Sequence, residues 1–313
     1  MAHLMPIPLR YAAARTHRFG GEWSINFQNL VRGSPLRSAL CAPPGFEVVA
    51  ADYAQIEARL VAWLCGASEL LQAFATKQDP YVLMASHIFS RQIDKVKDPP
   101  FFRFVGKAAV LGLGYGMGAN KFYYSVLRTA RAQGQDMSLL KQWTPELAQH
   151  AVDVYRRVNS SIPAMWRLLD RKLHGEWLGN VVPSMVGPFE IGHGYIKGPS
   201  GLKMNYANPR LVDGELWYDY GRTRSKLYGA AALENASQHL ARVIIMNAAM
   251  RLNSLGYRMV HQVHDELIFI IDRLDLDNAL HNIHTQMIQL PSWAPDLPLA
   301  VDIGHGENYG RTK

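Results

Sequence analysis

The spacing of hydrophobic positions changes several times along this chain, and each change marks an element. Residues 1–45 show little periodicity and cluster Arg, Gly and Pro, which predicts a loop-rich lead-in running over a surface. Phe46-Glu47-Val48-Val49-Ala50-Ala51 is a short β-rich run ending at Asp52, and within 55–64 the apolar residues Ile56, Leu60, Val61 and Leu64 fall at helical spacing. A strand therefore feeds a helix, with Asp52 at the junction. Residues 67–90 read as helical with a break at Asp79-Pro80, and a further helix begins near Phe102, after Pro99-Pro100. Thr144-Pro145 supplies a cap and a first-turn proline for a helix reaching about Val158, and Ile162-Pro163 opens the next. Over 181–222, from Val181 to Arg222, Gly-Pro, Pro-Ser-Gly and Asp-Gly turns separate short β segments, which predicts a small hairpin region. A long helix is expected over 226–255. Residues 257–263 and 266–270 then read as two strands around a tight turn that carries His264 and Asp265. There is no internal repeat, low-complexity tract or flexible linker, so the parts are expected to form one continuous unit.

Composition narrows the class. Of 313 residues, 48% are hydrophobic and 19% charged, which excludes disorder and collagen and suggests about two domains by length. Lys and Arg exceed Asp and Glu by 33 − 26 = 7, and the pI is about 9.4, which favours an anionic partner such as nucleic acid without requiring one. Cys41 and Cys65 are too few and too far apart for a disulfide framework or a zinc site, so a reducing compartment is expected. The N-terminus lacks a secretory pattern, and no stretch approaches about 18 continuous apolar residues. A cytoplasmic location and no membrane partner follow as expectations.

Two groups of residues point to chemistry. Asp52 and Asp265 each sit where a β element turns, from which their carboxylates can converge at one sheet edge. Such a pair suits Mg²⁺, which takes hard oxygen ligands, keeps waters and substrate phosphates, and in two-ion sites clamps a phosphoryl transfer. Aspartate is also common at turns for backbone reasons, and spacing alone leaves both readings open. The second group is Arg103, Lys107, Leu111 and Tyr115, which recur every fourth residue and would present two cations, an apolar residue and a phenol along one helical face. That order suits a nucleotide, with cations toward the triphosphate and the rest toward sugar and base, although a solvated basic face gives the same pattern. The glycines at 112, 114, 116 and 118 miss the dinucleotide fingerprint, and no catalytic Ser, Cys or P-loop pattern appears.

The run DYAQIEARLVAWL at 52–64, the run RFVGKAAVLGLGYGMG at 103–118 and QVHDELIF at 262–269 resemble, in order, the three polymerase motifs of family A DNA polymerases. The segment THRFGGEWSINFQNLVRGSPLRSAL at 16–40 is similar to the stretch preceding the first motif, so the resemblance covers nearly the whole chain. The hairpin-rich region with KLYGAAALENASQHLAR at 226–242 looks most like phage-type members. The resemblance implies an α+β fold: a palm with an antiparallel sheet from 1–66 and 226–313, and mainly helical fingers from 67–225. It implies template-directed addition of deoxynucleoside triphosphates to a DNA primer–template. A single-subunit RNA polymerase and a non-catalytic DNA-binding subunit are the alternatives.

By motif position, the resemblance assigns two Mg²⁺ ions to Asp52 and Asp265, with Glu266 in support. Arg103 and Lys107 would hold the triphosphate, and Lys107 would donate a proton to pyrophosphate. Glu57, near Tyr115, would crowd the sugar 2′ position and exclude ribonucleotides; Tyr115 would also border the template base, and Gln55 would line the same pocket. Arg18, Asn235, Gln238 and His264 match positions that touch the primer–template. Two departures stand out: Leu111 replaces an aromatic residue that stacks on the incoming nucleotide, and Tyr81 replaces a histidine, keeping a hydrogen-bonding group for phosphate but no charge. About 15 residues precede the matched segment, too few for a thumb or a 3′–5′ exonuclease domain, so a second polypeptide is expected to supply the thumb. If the chain is phage-encoded, its place is the host cytoplasm.

Overall fold

In a computed structural model, residues 5–24, 26–177 and 182–312 are described. Val181, the expected start of the hairpin region, lies outside them, as do Ile25 of the leading segment and Lys313 of the second palm part. The chain divides into two compact units, one of Met1–Glu57, Lys197–Met204 and Asn235–Lys313, the other of Ala58–Ile196 and Asn205–Glu234.

The first unit is built on a four-stranded antiparallel sheet, ordered Met259–Val263, Glu266–Asp272, Phe46–Tyr53, Val301–Gly306. Phe46–Tyr53 runs through the centre, and Val49, Ala50 and Ala51 are fully buried. A strand covered on both faces reads as an unbroken apolar run rather than an alternation, which is why this segment is so plainly β-forming. The strand extends through the expected end at Asp52 to Tyr53. The edge strand Val301–Gly306 was not foreseen, because Gly304 and Gly306 look like breakers. Gly304 is there for space: a Cβ at this position would fall on the Thr312 carbonyl, so the C-terminal turn packs directly on the strand backbone. The helix Leu276–Met287, also unforeseen, buries Ala279, Ile283 and Met287, and its end is tied to the central strand where the Tyr53 hydroxyl donates to the Met287 carbonyl at 2.7 Å.

The second unit begins with helices. Pro80–Ile88 is capped by the Asp79 carboxylate, which accepts from the Tyr81 and Val82 amides, and Pro145–Val158 by Thr144, which accepts from Leu147 N. The motif helix runs Pro100–Gly112, two residues earlier than expected because Pro100 takes the first-turn position where a missing N–H costs nothing. Gly106 lets it approach Pro80–Ile88, since a Cβ there would collide with the Tyr81 carbonyl. The β region is larger than predicted. It includes the pair Ser184–Val186 and Phe189–Gly192 and a three-stranded sheet of Ala207–Val212, Glu215–Tyr220 and Thr223–Leu227. Trp177, Tyr206 and Tyr218 stack edge to face beneath it, with centroids 5.0 Å apart for Trp177–Tyr206 and 5.1 Å for Tyr206–Tyr218. Lys226 belongs to the last of these strands, opposite Trp217, so the long helix starts later than expected and spans Gly229–Ser254. No described helix is long and apolar enough to cross a membrane.

Candidate active site

The sheet brings Asp52 and Asp265 together. Asp52 is the seventh residue of the eight-residue central strand, between the buried Ala51 and Tyr53, and is half-buried. The neighbouring hairpin turns on two residues, His264 and Asp265, with Val263 paired to Glu266 across the turn. His264 takes φ of +52°, which a non-glycine residue adopts at a cost, and its side chain is exposed at the tip. Glu266 pairs in register with Asp52, and the Tyr53 N–H donates to the Asp265 carbonyl at 3.1 Å, which fastens the tip beside the end of the central strand. On the other side Asp302 pairs with Asp52, and a cleft of about 220 Å³ is lined by Arg32, Asp52, Asp302 and the C-terminal turn.

Electrostatics mark the same spot. Burial pushes the Asp265 carboxyl up to about 6; the charges of Glu57 and Asp52 add to that, and Arg18 opposes it. Arg18 donates to Asp265 Oδ1 at 3.2 Å and also to Glu57 Oε1, so one guanidinium bridges two of the three acids. Among the described residues no cluster of three or more His, Cys, Asp or Glu is arranged to hold a metal. The fit for a divalent ion therefore rests on two crowded carboxylates, one of them opposed to ionisation, with the other coordination positions left to water and substrate phosphate. That is the donor set Mg²⁺ favours.

Beside the acids, the leading segment lies on one face of the helix Gly229–Ser254. Thr16 Oγ1 donates to Gln238 Oε1 at 3.4 Å, and Arg242 Nε donates to the His17 carbonyl at 2.9 Å. Asn235 and Gln238, three residues apart, are both half-buried on that helix. The buried His239 contacts His17 with Nδ1 atoms 3.1 Å apart, and burial brings its imidazole down to about 4, so the pair is neutral near pH 7. His17, His239 and Arg242 were not singled out from sequence; the spacing of His239 and Arg242, three apart on one helix face, is the signal that was available. Gln55 stands between the central strand and the helix Ile56–Cys65 with φ of +50°, another non-glycine residue in the left-handed region.

In the second unit Arg103, Lys107 and Leu111 form one row on the helix Pro100–Gly112, with Arg103 half-buried and Lys107 and Leu111 exposed. Tyr115 does not continue that row. The helix tightens into a 3-10 turn at Leu113–Tyr115 and ends at Gly116 with φ of +78°, where glycine spacing favours a turn over further α-helix. Arg103 Nε donates to Asp79 Oδ2 at 2.8 Å, and Lys95 Nζ lies 3.6 Å from the same oxygen. Although partial burial raises it, the Asp79 carboxyl is held below the usual range by Arg103 and by the two capped amides. Tyr81 is buried, with its ring 5.1 Å from the Arg103 guanidinium and 6.0 Å from Lys107 Nζ, so it forms a shelf under both cations.

Residues 12–158 match the family model of DNA polymerase family A. The chain is 30% identical over 283 residues to the DNA polymerase of Bacillus phage SP02, covering 85% of this chain and 42% of that protein. It is 24% identical over 281 residues to DNA polymerase I of Synechocystis, covering 89% of this chain and 26% of that one. Among solved structures, the polymerase domain of Pol1 from M. smegmatis, determined with DNA primer-template and dNTP, superposes with a TM-score of 0.69 at 23% identity, over 97% of this chain and 48% of that chain. The chain thus spans less than half the length of these relatives, and its α+β fold is that of a polymerase domain. In sequence it is similar to a fragment of the DNA polymerase family A proteins, and in fold to a polymerase domain.

Proposed function

We propose that the protein is a DNA-directed DNA polymerase that adds deoxynucleotides to a primer 3′-hydroxyl, acting in replication or repair. The observation that carries this reading is the Asp52–Asp265 pair at the edge of the sheet, with Asp265 opposed to ionisation and Arg18 bridging to Glu57. Two Mg²⁺ ions held by Asp52 and Asp265 would supply Lewis-acid stabilisation of the charge that develops as the 3′-oxygen attacks the α-phosphate and pyrophosphate leaves. The chain's own residues do the rest. Arg103 and Lys107 bind the triphosphate, and Lys107 gives its proton to the departing pyrophosphate. Tyr81 acts on the nucleotide through the two cations it supports. By motif position Glu57 and Gln55 act on the sugar of the nucleotide and Tyr115 on the base, and Arg18, Asn235, Gln238 and His264 meet the primer–template. The deciding assay is primer extension with Mg²⁺, comparing deoxy- with ribonucleotides. Absence of templated deoxynucleotide addition by the wild-type chain on a bound primer–template overturns the reading.

Asp79 orients Arg103 by holding its Nε, which directs the terminal nitrogens of the guanidinium. Asp79→Asn keeps an oxygen to cap the helix but removes the charge that grips Arg103. Nucleotide KM is expected to rise roughly 3- to 10-fold, the equivalent of about 1 kcal/mol for a charge-assisted hydrogen bond, with the melting temperature nearly unchanged. An unmoved KM removes Asp79 from this role. At Leu111, which is 40% exposed on the same row, a stacking face is missing. Leu111→Phe is expected to lower nucleotide KM, by up to about 1–3 kcal/mol of stacking. A steady-state titration reads it, and a higher KM means the pocket is shaped around an aliphatic side chain.

A further inference from the structure

The acid that follows Asp265 is held from below. Glu266 is 4% exposed and opens the hairpin's second strand, in register with Asp52. Its Oε2 accepts from the Tyr309 hydroxyl at 2.5 Å, and its Oε1 lies 3.9 Å from the Arg37 guanidinium. Arg37 in turn stacks on the Tyr309 ring, with Cζ 3.7 Å from the centroid, and donates through Nε to the Tyr309 carbonyl at 3.3 Å. All three side chains are buried: Arg37 is 6% exposed and Tyr309 2%. Each partner is anchored elsewhere. Arg37 sits in the short helix Pro35–Ser38, capped by Ser34, and the Tyr309 N–H donates to the Leu40 carbonyl at 2.9 Å. Burial and the Glu266 charge push the Tyr309 phenol well above its ordinary range, so it remains a donor at any working pH.

We propose that Arg37 and Tyr309 are positioning residues: together they clamp Glu266 beneath the sheet edge and so fix where the hairpin tip presents Asp265 to Asp52. The proposal rests on the polymerase reading above. Two physical consequences follow from the geometry. A carboxylate with a fixed rotamer immediately after Asp265 restrains the backbone of the turn, whose first residue is already in an unfavourable conformation. Pairing Glu266 with Arg37 also keeps a third negative charge in register with Asp52 from adding to the Asp52–Asp265 repulsion. Glu266 thereby serves the site as a brace rather than as a third ligand.

The test uses Mn²⁺ as probe, with its unbound signal followed by electron paramagnetic resonance while it is titrated into the protein carrying a dideoxy-terminated primer–template and a deoxynucleotide. Wild type, Tyr309→Phe, Arg37→Lys and Asp265→Ala are compared, with amide hydrogen exchange read over residues 264–267 in the same proteins. The clamp predicts a Mn²⁺ midpoint at least threefold higher in Tyr309→Phe, with faster exchange at the tip and a melting temperature near that of wild type. Where Tyr309→Phe does not fold, Arg37→Lys is judged by the same criteria. A midpoint like wild type's overturns the clamp, and so does unchanged exchange at the tip. Wild type and Asp265→Ala binding Mn²⁺ equally would instead defeat the metal assignment on which the clamp's purpose rests, so the two failures are told apart by the Asp265→Ala control.

Discussion

Asp265→Asn is expected to lose primer extension and, in metal-free buffer at pH 8, to unfold at a higher temperature than wild type. The two effects come from one environment. Burial, together with the charges of Glu57 and Asp52, outweighs Arg18 and holds the carboxyl at about 6, against an ordinary value of 3.8. Because the folded-state value lies above the unfolded one, the folded protein binds more protons between pH 4 and 6. Stability therefore falls as pH rises through that window and stays low above it. Asn removes the charge while keeping the shape and an oxygen for Arg18, so its gain should be small at pH 4, grow through pH 6 and level off at about 3 kcal/mol. Denaturant unfolding in chelator at pH 4, 6 and 8 measures it; a gain independent of pH means the carboxylate is not the source. Extension should drop on the order of 10²-fold or more, since a carboxylate proposed to hold metal would act where transition-state charge develops, and Asp52→Ala should do the same with primer–template binding retained. Wild-type-like extension by either variant removes that acid from catalysis. A residue that costs stability when charged and activity when neutralised is being kept for its chemistry.

How far this site was legible in the sequence depended on whether local pattern or distant packing placed each residue. Asp52 was legible because an apolar run fully buried on both faces ends beside it, and Asp265 because two β-rich runs flank a two-residue gap. The capped helix at Thr144-Pro145 was legible for the same local reason. The position of Arg18 was not readable from spacing, since it comes from an irregular lead-in that reaches Glu57, 39 residues away, and Asp265, 247 away. Asp302 was hidden because its strand contains Gly304, whose role is a close backbone approach rather than a break. Fourfold spacing predicts a row from Arg103 to Tyr115, but the row ends at Leu111, because that spacing says nothing about where a glycine-rich segment leaves the α-helix. The resemblance gives Tyr81 a hydrogen-bonding group for phosphate, but its burial was not readable from the sequence, since it comes from Gly106 and the closeness of two helices.

Glu57→Ala is expected to raise the ratio of ribo- to deoxynucleotide kcat/KM by roughly 10- to 100-fold while lowering the rate with deoxynucleotides. The first effect is steric. A side chain that fills the space of a 2′-hydroxyl excludes it by overpacking, worth about 1–3 kcal/mol, and truncation to a methyl group restores the room. The second effect follows from Arg18, which Glu57 shares with Asp265. Without Glu57 the guanidinium loses a carboxylate that competes with Asp265, so it binds Asp265 more closely and neutralises the group proposed to hold the metal. Glu57→Gln separates the two contributions. It keeps the bulk and an oxygen for Arg18 but loses the charge, so it should retain discrimination against ribonucleotides while sharing part of the rate loss. Single-nucleotide incorporation kinetics with matched deoxy and ribo substrates read both quantities at once. Equal ratios in wild type, Ala and Gln place the sugar gate elsewhere. A ratio that rises as much with Gln as with Ala means that charge, and not volume, carries the discrimination.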